Sequence, residues 1–324
     1  MCTALSYKTN FHYFGRNLDY EHSFGEKVII TPRNYPISFK CMDKLNFHYA
    51  FIGIGIVEDN FPLYFDLTNE KGLSVAGLNF PNNAYYSDYC DQKINLAPYE
   101  MPLYILSKCS DVYEANNLLR DINLIKKPFN MKHCLTPLHF IFSDKNKSIV
   151  YETTKEGNFV YENDLGVLTN NPTFNMQKEN LINYLNLSPK EPVNLFSDKI
   201  DLVPSSRGMG AIGLPGDLSS SSRFVRAAFT KLNSPVTLSD EEGITQFFHI
   251  LNSVYQTKGS VCLSDNLYEN TIYSSCCNTD EGIYYYTTYN NSRITRIDMY
   301  KENLEGDNLI TYNMINHQDI LCGN

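Results

Sequence analysis

Met1-Cys2-Thr3-Ala4-Leu5-Ser6-Tyr7-Lys8 opens the chain, and Phe11-His12-Tyr13-Phe14-Gly15-Arg16-Asn17-Leu18-Asp19-Tyr20 follows after two residues. Both runs alternate as strands do, over residues 3–9 and 11–20. A small side chain at position two suits the aminopeptidases that remove Met1. The product would carry a thiol and a free α-amine on one residue, a nucleophile with its base built in. The amine titrates near ~8 and the thiol near ~8.5 in ordinary surroundings. If the second strand pairs with the first, Arg16 or Asp19 lies beside Cys2. A guanidinium near sulfur favours thiolate, and a carboxylate near the amine would hold it in register. Taken alone, Cys2 reads as an inert thiol, and Arg16 with Asp19 as a surface ion pair.

Composition bounds the rest. The 324 residues are 43% hydrophobic, enough for a substantial buried core. The formal charge is -9 with no basic run, which argues against nucleic acid as a partner. The polar segment after Met1 is not a signal peptide, and no run approaches the ~18 apolar residues of a membrane span. A cytoplasmic protein without membrane insertion is expected. Nine cysteines, an odd count, fit reduced thiols better than a disulfide framework. Cys276 and Cys277 adjoin on a predicted strand, pointing to opposite faces as packing residues.

Further strands are predicted at residues 27–31, 48–57, 63–67, 73–80, 138–143, 148–154 and 158–162. Asn290-Asn291 turns residues 283–289 back onto 293–299. Helices are predicted at 98–108, from the Ser110-Asp111 cap to 122, and at 175–187, 221–232 and 239–257. The last opens on a capping box, Ser239-x-x-Glu242. Residues 188–216, rich in Pro, Ser and Gly, form a long excursion. Strands, then helices, then strands, without regular βαβ alternation, predict an α+β fold of antiparallel sheets layered with helices. No repeat or linker divides the chain, so residues 1–324 read as one domain.

Two motifs are set aside. Gly208-Met209-Gly210-Ala211-Ile212-Gly213 matches G-x-G-x-x-G, but Pro204 precedes it and Leu214-Pro215-Gly216 breaks any following helix. It reads as a glycine-rich loop. His133, Cys134 and His139 lack a partner pair at metal-site spacing and read as structural or surface residues.

Six ordered blocks carry a more specific signal. They are Met1-Cys2-Thr3-Ala4, Phe14-Gly15-Arg16-Asn17-Leu18-Asp19-Tyr20, Asn69-Glu70-Lys71-Gly72-Leu73, Ala76-Gly77-Leu78-Asn79-Phe80, Gly166-Val167-Leu168-Thr169-Asn170 and Ser222-Arg223-Phe224. Together they resemble the bile salt hydrolases of the choloylglycine hydrolase family, within the N-terminal-nucleophile hydrolases. The resemblance implies a four-layer αββα sandwich of two antiparallel sheets flanked by helices. It implies that Cys2 attacks an amide carbonyl while its α-amine moves the proton. Asp19 would orient that amine and Arg16 would sit close to the sulfur. The Asn79 N–H and the Asn170 side-chain amide would form the oxyanion hole, with Arg223 adding positive charge. No cofactor and no metal are implied.

The implied substrates are glycine- and taurine-conjugated bile salts, which need an apolar wall with few polar groups. Positions matching the family pocket are Leu18, Phe24, Phe65, Phe129 and Leu138. Arg207 falls in a loop linked to the conjugated amino acid, and a guanidinium there suits a sulfonate. The 188–216 excursion matches the segment through which relatives build homotetramers. Two alternatives stay open: a penicillin V acylase, against which Asn79 speaks, and a binding protein for amphiphilic anions.

Overall fold

Both opening runs form strands, Cys2–Lys8 and His12–Tyr20, and almost every residue in them is buried. Because successive side chains point to opposite faces, such a strand is covered on both sides. One face meets a second sheet and the other meets helices. The computed structural model describes residues 1–132 and 134–324; His133, named above, lies outside the described residues.

The first sheet runs, in spatial order, Val167–Leu168, Cys2–Lys8, His12–Tyr20, Leu267–Asn278, Ile283–Thr288 and Asn291–Asp298, with Val261–Ser264 beside Leu267–Asn278. The second runs Gly157–Glu162, Ser148–Thr154, Leu138–Ser143, Ser74–Asn79, Phe61–Asn69, Phe51–Glu58, Lys27–Thr31 and Ile310–Asn313. Neighbours within each pair antiparallel. The helices Ser220–Leu232 and Asp240–Asn252 cover the first sheet, while Met101–Lys108 and Val112–Leu119 cover the second. The result is the α+β, αββα layering implied by the sequence. Cys276 and Cys277 are fully buried on it.

Several boundaries differ. The predicted 239–257 helix ends at Asn252, although its Ser239 cap accepts from the Glu242 N–H as expected. Beyond it the chain turns so that Gln256 bonds back to Thr271 and Asp19. The predicted 175–187 helix is Phe174–Asn180 followed by a 3-10 turn, Leu181–Tyr184. Around the glycine-rich loop, Met209–Ala211 forms one short 3-10 turn. Ile94–Leu96 and Ile122–Leu124 form a small parallel ladder that the sequence pattern did not reveal. Three-residue strands are too short to show a period.

Gly15 lies where the His12–Tyr20 strand runs close against the Leu267–Asn278 strand. A Cβ there would lie 2.0 Å from the Ser275 backbone oxygen. Backbone cannot yield as a flexible side chain does. Gly15→Ala is therefore expected to cost about 2 kcal/mol or more of unfolding free energy. Urea denaturation checks it; a loss under about 0.5 kcal/mol, the scale of a surface change, would contradict the packing.

Candidate active site

The hairpin register sets the site. Cys2 lies opposite Leu18 and Ala4 opposite Arg16, so Cys2, Arg16 and Leu18 share the face turned to the second sheet. Thr3 and Asn17 point the other way, as does Asp19, toward the helices. Asn17 there donates to the Leu251 carbonyl at 3.0 Å.

Arg16 is fully buried and bridges the sheets, donating through one nitrogen to the carbonyls of Phe65 at 2.9 Å and Gly77 at 2.6 Å. Burial opposes its charge, but Cys2, Tyr273, Asp66 and Asp19 nearby hold the guanidinium above its ordinary value. Asp66 accepts from Tyr273 at 2.8 Å, from Ser275 at 3.1 Å and from Tyr284. Burial still pushes the Asp66 carboxyl up, against the pull of Arg16 and these hydroxyls. Sequence reasoning missed Asp66, although a carboxylate within the apolar pattern of Phe61–Asn69 was a visible exception.

On the helix side, Asp19 accepts from Thr271 at 2.6 Å and Gln256 at 3.2 Å, and its carboxylate stands 3.9 Å from Arg223. Neither side chain of this pair is exposed. Burial raises the Asp19 pKa and lowers that of Arg223, each opposed by the other's charge. Arg223 also donates to the Cys2 carbonyl, to Thr3 Oγ1 at 2.6 Å and to Asn170 Oδ1 at 2.8 Å.

Asn170 joins these parts. Its Oδ1 accepts from the Cys2 N–H at 2.8 Å, and its Nδ2 donates to the Asn79 carbonyl at 2.7 Å. Cys2, Arg16, Asp19, Asn79, Asn170 and Arg223 thus meet at one end of the sandwich. With Met1 in place the Cys2 nitrogen is an amide. The Met1 amine bonds the Asp19 carbonyl at 2.7 Å and the Glu269 carboxylate. Glu269, Thr271 and Gln256 carry no motif and were not anticipated.

Cys2, Arg16 and Asn79 open onto a cavity of about 490 Å³ walled by both sheets. Leu18, Phe24, Phe65, Phe129 and Leu138 all line it. Phe24 packs on Phe65 with ring centroids 5.5 Å apart. Arg207 does not line it; that residue stands exposed on the excursion. A more open depression of about 940 Å³ shares Tyr99 and Phe129 with the cavity but contains none of the six converging residues.

A buried thiol at the head of an apolar cavity, flanked by two guanidiniums and two amides, suits attack on an acyl group of an amphiphile. Comparison with known proteins agrees. Residues 2–312 match the family described as linear amide C–N hydrolases, choloylglycine hydrolase family. The chain belongs to the choloylglycine hydrolase family. It is 50% identical over 312 residues to a bile salt hydrolase/transferase of Lactiplantibacillus plantarum, covering 96% of each chain. A bile salt hydrolase/transferase of Clostridium perfringens is 40% identical over 323 residues, with 96% of each covered. A crystal structure of a conjugated bile acid hydrolase variant from Clostridium perfringens superposes with a TM-score of 0.93 at 38% identity, covering both chains fully. Penicillin V acylase from Agrobacterium tumefaciens shares the fold, with a TM-score of 0.75 at 21% identity over 96% of this chain and 91% of its own.

Arg223 supplies the test of this geometry. Its loss leaves Asp19 without its buried counter-charge and removes a donor from the acceptors on Cys2, Thr3 and Asn170. Arg223→Met is expected to lower unfolding free energy by about 3–5 kcal/mol, read from denaturant midpoints. A change under about 1 kcal/mol, the scale of a surface pair, would contradict the buried pairing.

Proposed function

We propose that this choloylglycine hydrolase cleaves the amide bond of glycine- and taurine-conjugated bile salts through an acyl-enzyme on Cys2. The observation that carries the reading is Cys2 at the head of an apolar cavity, with Asn79 and Asn170 beside it. The names of the relatives support the substrate class.

Removal of Met1 turns the Cys2 nitrogen into a primary amine. That amine takes the thiol proton as the sulfur bonds to the carbonyl carbon. The Asn79 N–H and Asn170 Nδ2 receive the oxyanion, and Arg223, bonded to Asn170 Oδ1, adds positive charge behind it. The amine then passes its proton to the leaving nitrogen, the C–N bond breaks, and free glycine or taurine departs. Water, deprotonated by the same amine, hydrolyses the thioester. Asp19, close to Arg223 and fixed by Thr271 and Gln256, holds the amine end. Arg16 sits by the sulfur. The steroid lies against Leu18, Phe24, Phe65, Phe129 and Leu138.

The same reading treats residues 1–324 as one cytoplasmic domain. Among the described residues, no helix is long and apolar enough to cross a membrane. We further propose that the excursion joins copies into a homotetramer, because Val193, Leu195, Phe196 and Val203 stand exposed on it. Large apolar side chains exposed together on one segment suit an interface. Leu195→Glu with Phe196→Glu should yield smaller species by light scattering; an unchanged mass would reject that interface. Arg207 stays as the candidate for a taurine preference, and Arg207→Ala should lower the taurine-to-glycine release ratio.

The decisive assay combines intact mass with glycine and taurine release from cholic acid conjugates. Loss of one methionine with release abolished in Cys2→Ser is expected, and Asn170→Ala should lower kcat by ~10²–10³. Methionine loss with neither amino acid released would reject the bile salt reading and favour penicillin V or another N-acyl amide. Depletion of free bile salt by Cys2→Ser as complete as by wild type would favour a binding protein.

A further inference from the structure

A buried pair behind the two amides takes no part in the steps above. His139, on the Leu138–Ser143 strand, and Glu152, on the adjacent Ser148–Thr154 strand, are both fully buried. The His139 Nδ1 lies 3.0 Å from Glu152 Oε1, and its Nε2 lies 2.8 Å from the Thr169 carbonyl oxygen. A carbonyl oxygen only accepts, so Nε2 carries a hydrogen. One proton sits between Nδ1 and the carboxylate, and the ring is fixed at both ends. The ring also lies flat on Phe80, with centroids 4.2 Å apart and planes at 6°. The same Glu152 oxygen accepts from the Phe174 N–H at 2.9 Å.

Phe80 follows Asn79, and Thr169 precedes Asn170. One imidazole therefore grips the neighbours of both amides, which come from different sheets. Asn79 ends a strand of the second sheet; Asn170 follows Val167–Leu168 of the first. Among the described residues no ladder joins the two sheets there, and the direct tie between the two asparagines is the 2.7 Å bond from Asn170 Nδ2 to the Asn79 carbonyl. The grip of His139 backs that tie from behind. Neither His139 nor Glu152 lines the cavity, so neither reaches the reacting atoms. Simple stability is a poor reason for such a pair, since apolar residues of similar volume often serve as well or better.

We propose that His139, held by Glu152, is a positioning residue of the oxyanion hole, backing the Asn170–Asn79 bond so that the Asn79 N–H and the Asn170 side-chain amide keep their spacing. The inference rests on the reading of those two groups as oxyanion donors. A small misplacement of such groups weakens the transition state far more than the ground state.

The test uses the processed enzyme and glycocholate, with thermal melting to confirm folding and intact mass to confirm Met1 loss. His139→Phe keeps the stack on Phe80 and removes both hydrogen bonds. It is expected to lower kcat by about 10- to 100-fold while KM stays within about twofold. In an Asn170→Ala background the same change should cost nothing further, because the group it positions is gone. Should His139→Phe fail to fold, Glu152→Gln keeps the shape, removes the charge and should lower kcat by about tenfold. Wild-type kcat in the folded variant, or losses that multiply in the double variant, would overturn the inference alone. An Asn170→Ala enzyme with wild-type kcat would overturn the oxyanion reading and the inference with it.

Discussion

The pairing of Cys2–Lys8 with His12–Tyr20, in the register that sets Cys2 opposite Leu18, decides which side chains reach which face of the first sheet. A slip of one residue would reverse every side chain of the strand that moved. If Cys2–Lys8 moved, Cys2 would turn to the helices while Arg16 stayed on the cavity side. Burial on both faces pins the register, since Ser6 meets Ser143 of the second sheet while Thr3 and Tyr7 bond Arg223 and Pro235 on the helix side. Gly15 holds the second strand of the hairpin against Leu267–Asn278, because only a residue without a side chain fits against Ser275. Chemistry at the chain end thus depends on packing along the whole hairpin.

Electrostatics then divides the site into two halves. On the cavity side Arg16 is tied to two carbonyls of the second sheet and backed by Asp66 with its tyrosines. On the helix side Arg223 and Asp19 oppose each other's burial, and Arg223 reaches Cys2, Thr3 and Asn170. Isolated charges at these depths would be very costly. All three nitrogens of Arg223 donate to carbonyl, hydroxyl or amide oxygens, and Arg16 is tied through Nη1 to two carbonyls, which offsets that cost and fixes the geometry. Asn170 connects the halves, accepting from Cys2 and Arg223 and donating to Asn79.

Local signals made part of this legible. Alternation exposed the opening hairpin, Cys2 stood out by position, and Arg16 with Asp19 followed from the pairing. The family resemblance placed Asn79, Asn170 and Arg223, and the five apolar positions it implied do line the cavity. Long-range partners were not legible. Asp66 meets Tyr273 and Tyr284 only because the sheets stack, and Asn79 meets Asn170 across 91 residues of chain. His139 read as a structural or surface residue; its link to Glu152 needs the strand pairing that brings them together. The 239–257 helix was drawn too long because the turn that carries Gln256 to Asp19 has no breaker residue. Arg207 lies off the cavity wall, and the excursion that bears it has no internal period from which to place it.

Attack by Cys2 requires that the acyl group pass through its sulfur. Rapid acid quench of the processed enzyme with a conjugated bile salt, followed by peptide mapping, measures this directly. The steroid acyl group should appear as a thioester on the peptide that begins with Cys2, with the amino acid already released. Turnover without any such adduct on Cys2, or an acyl group carried on another cysteine, would contradict the central claim.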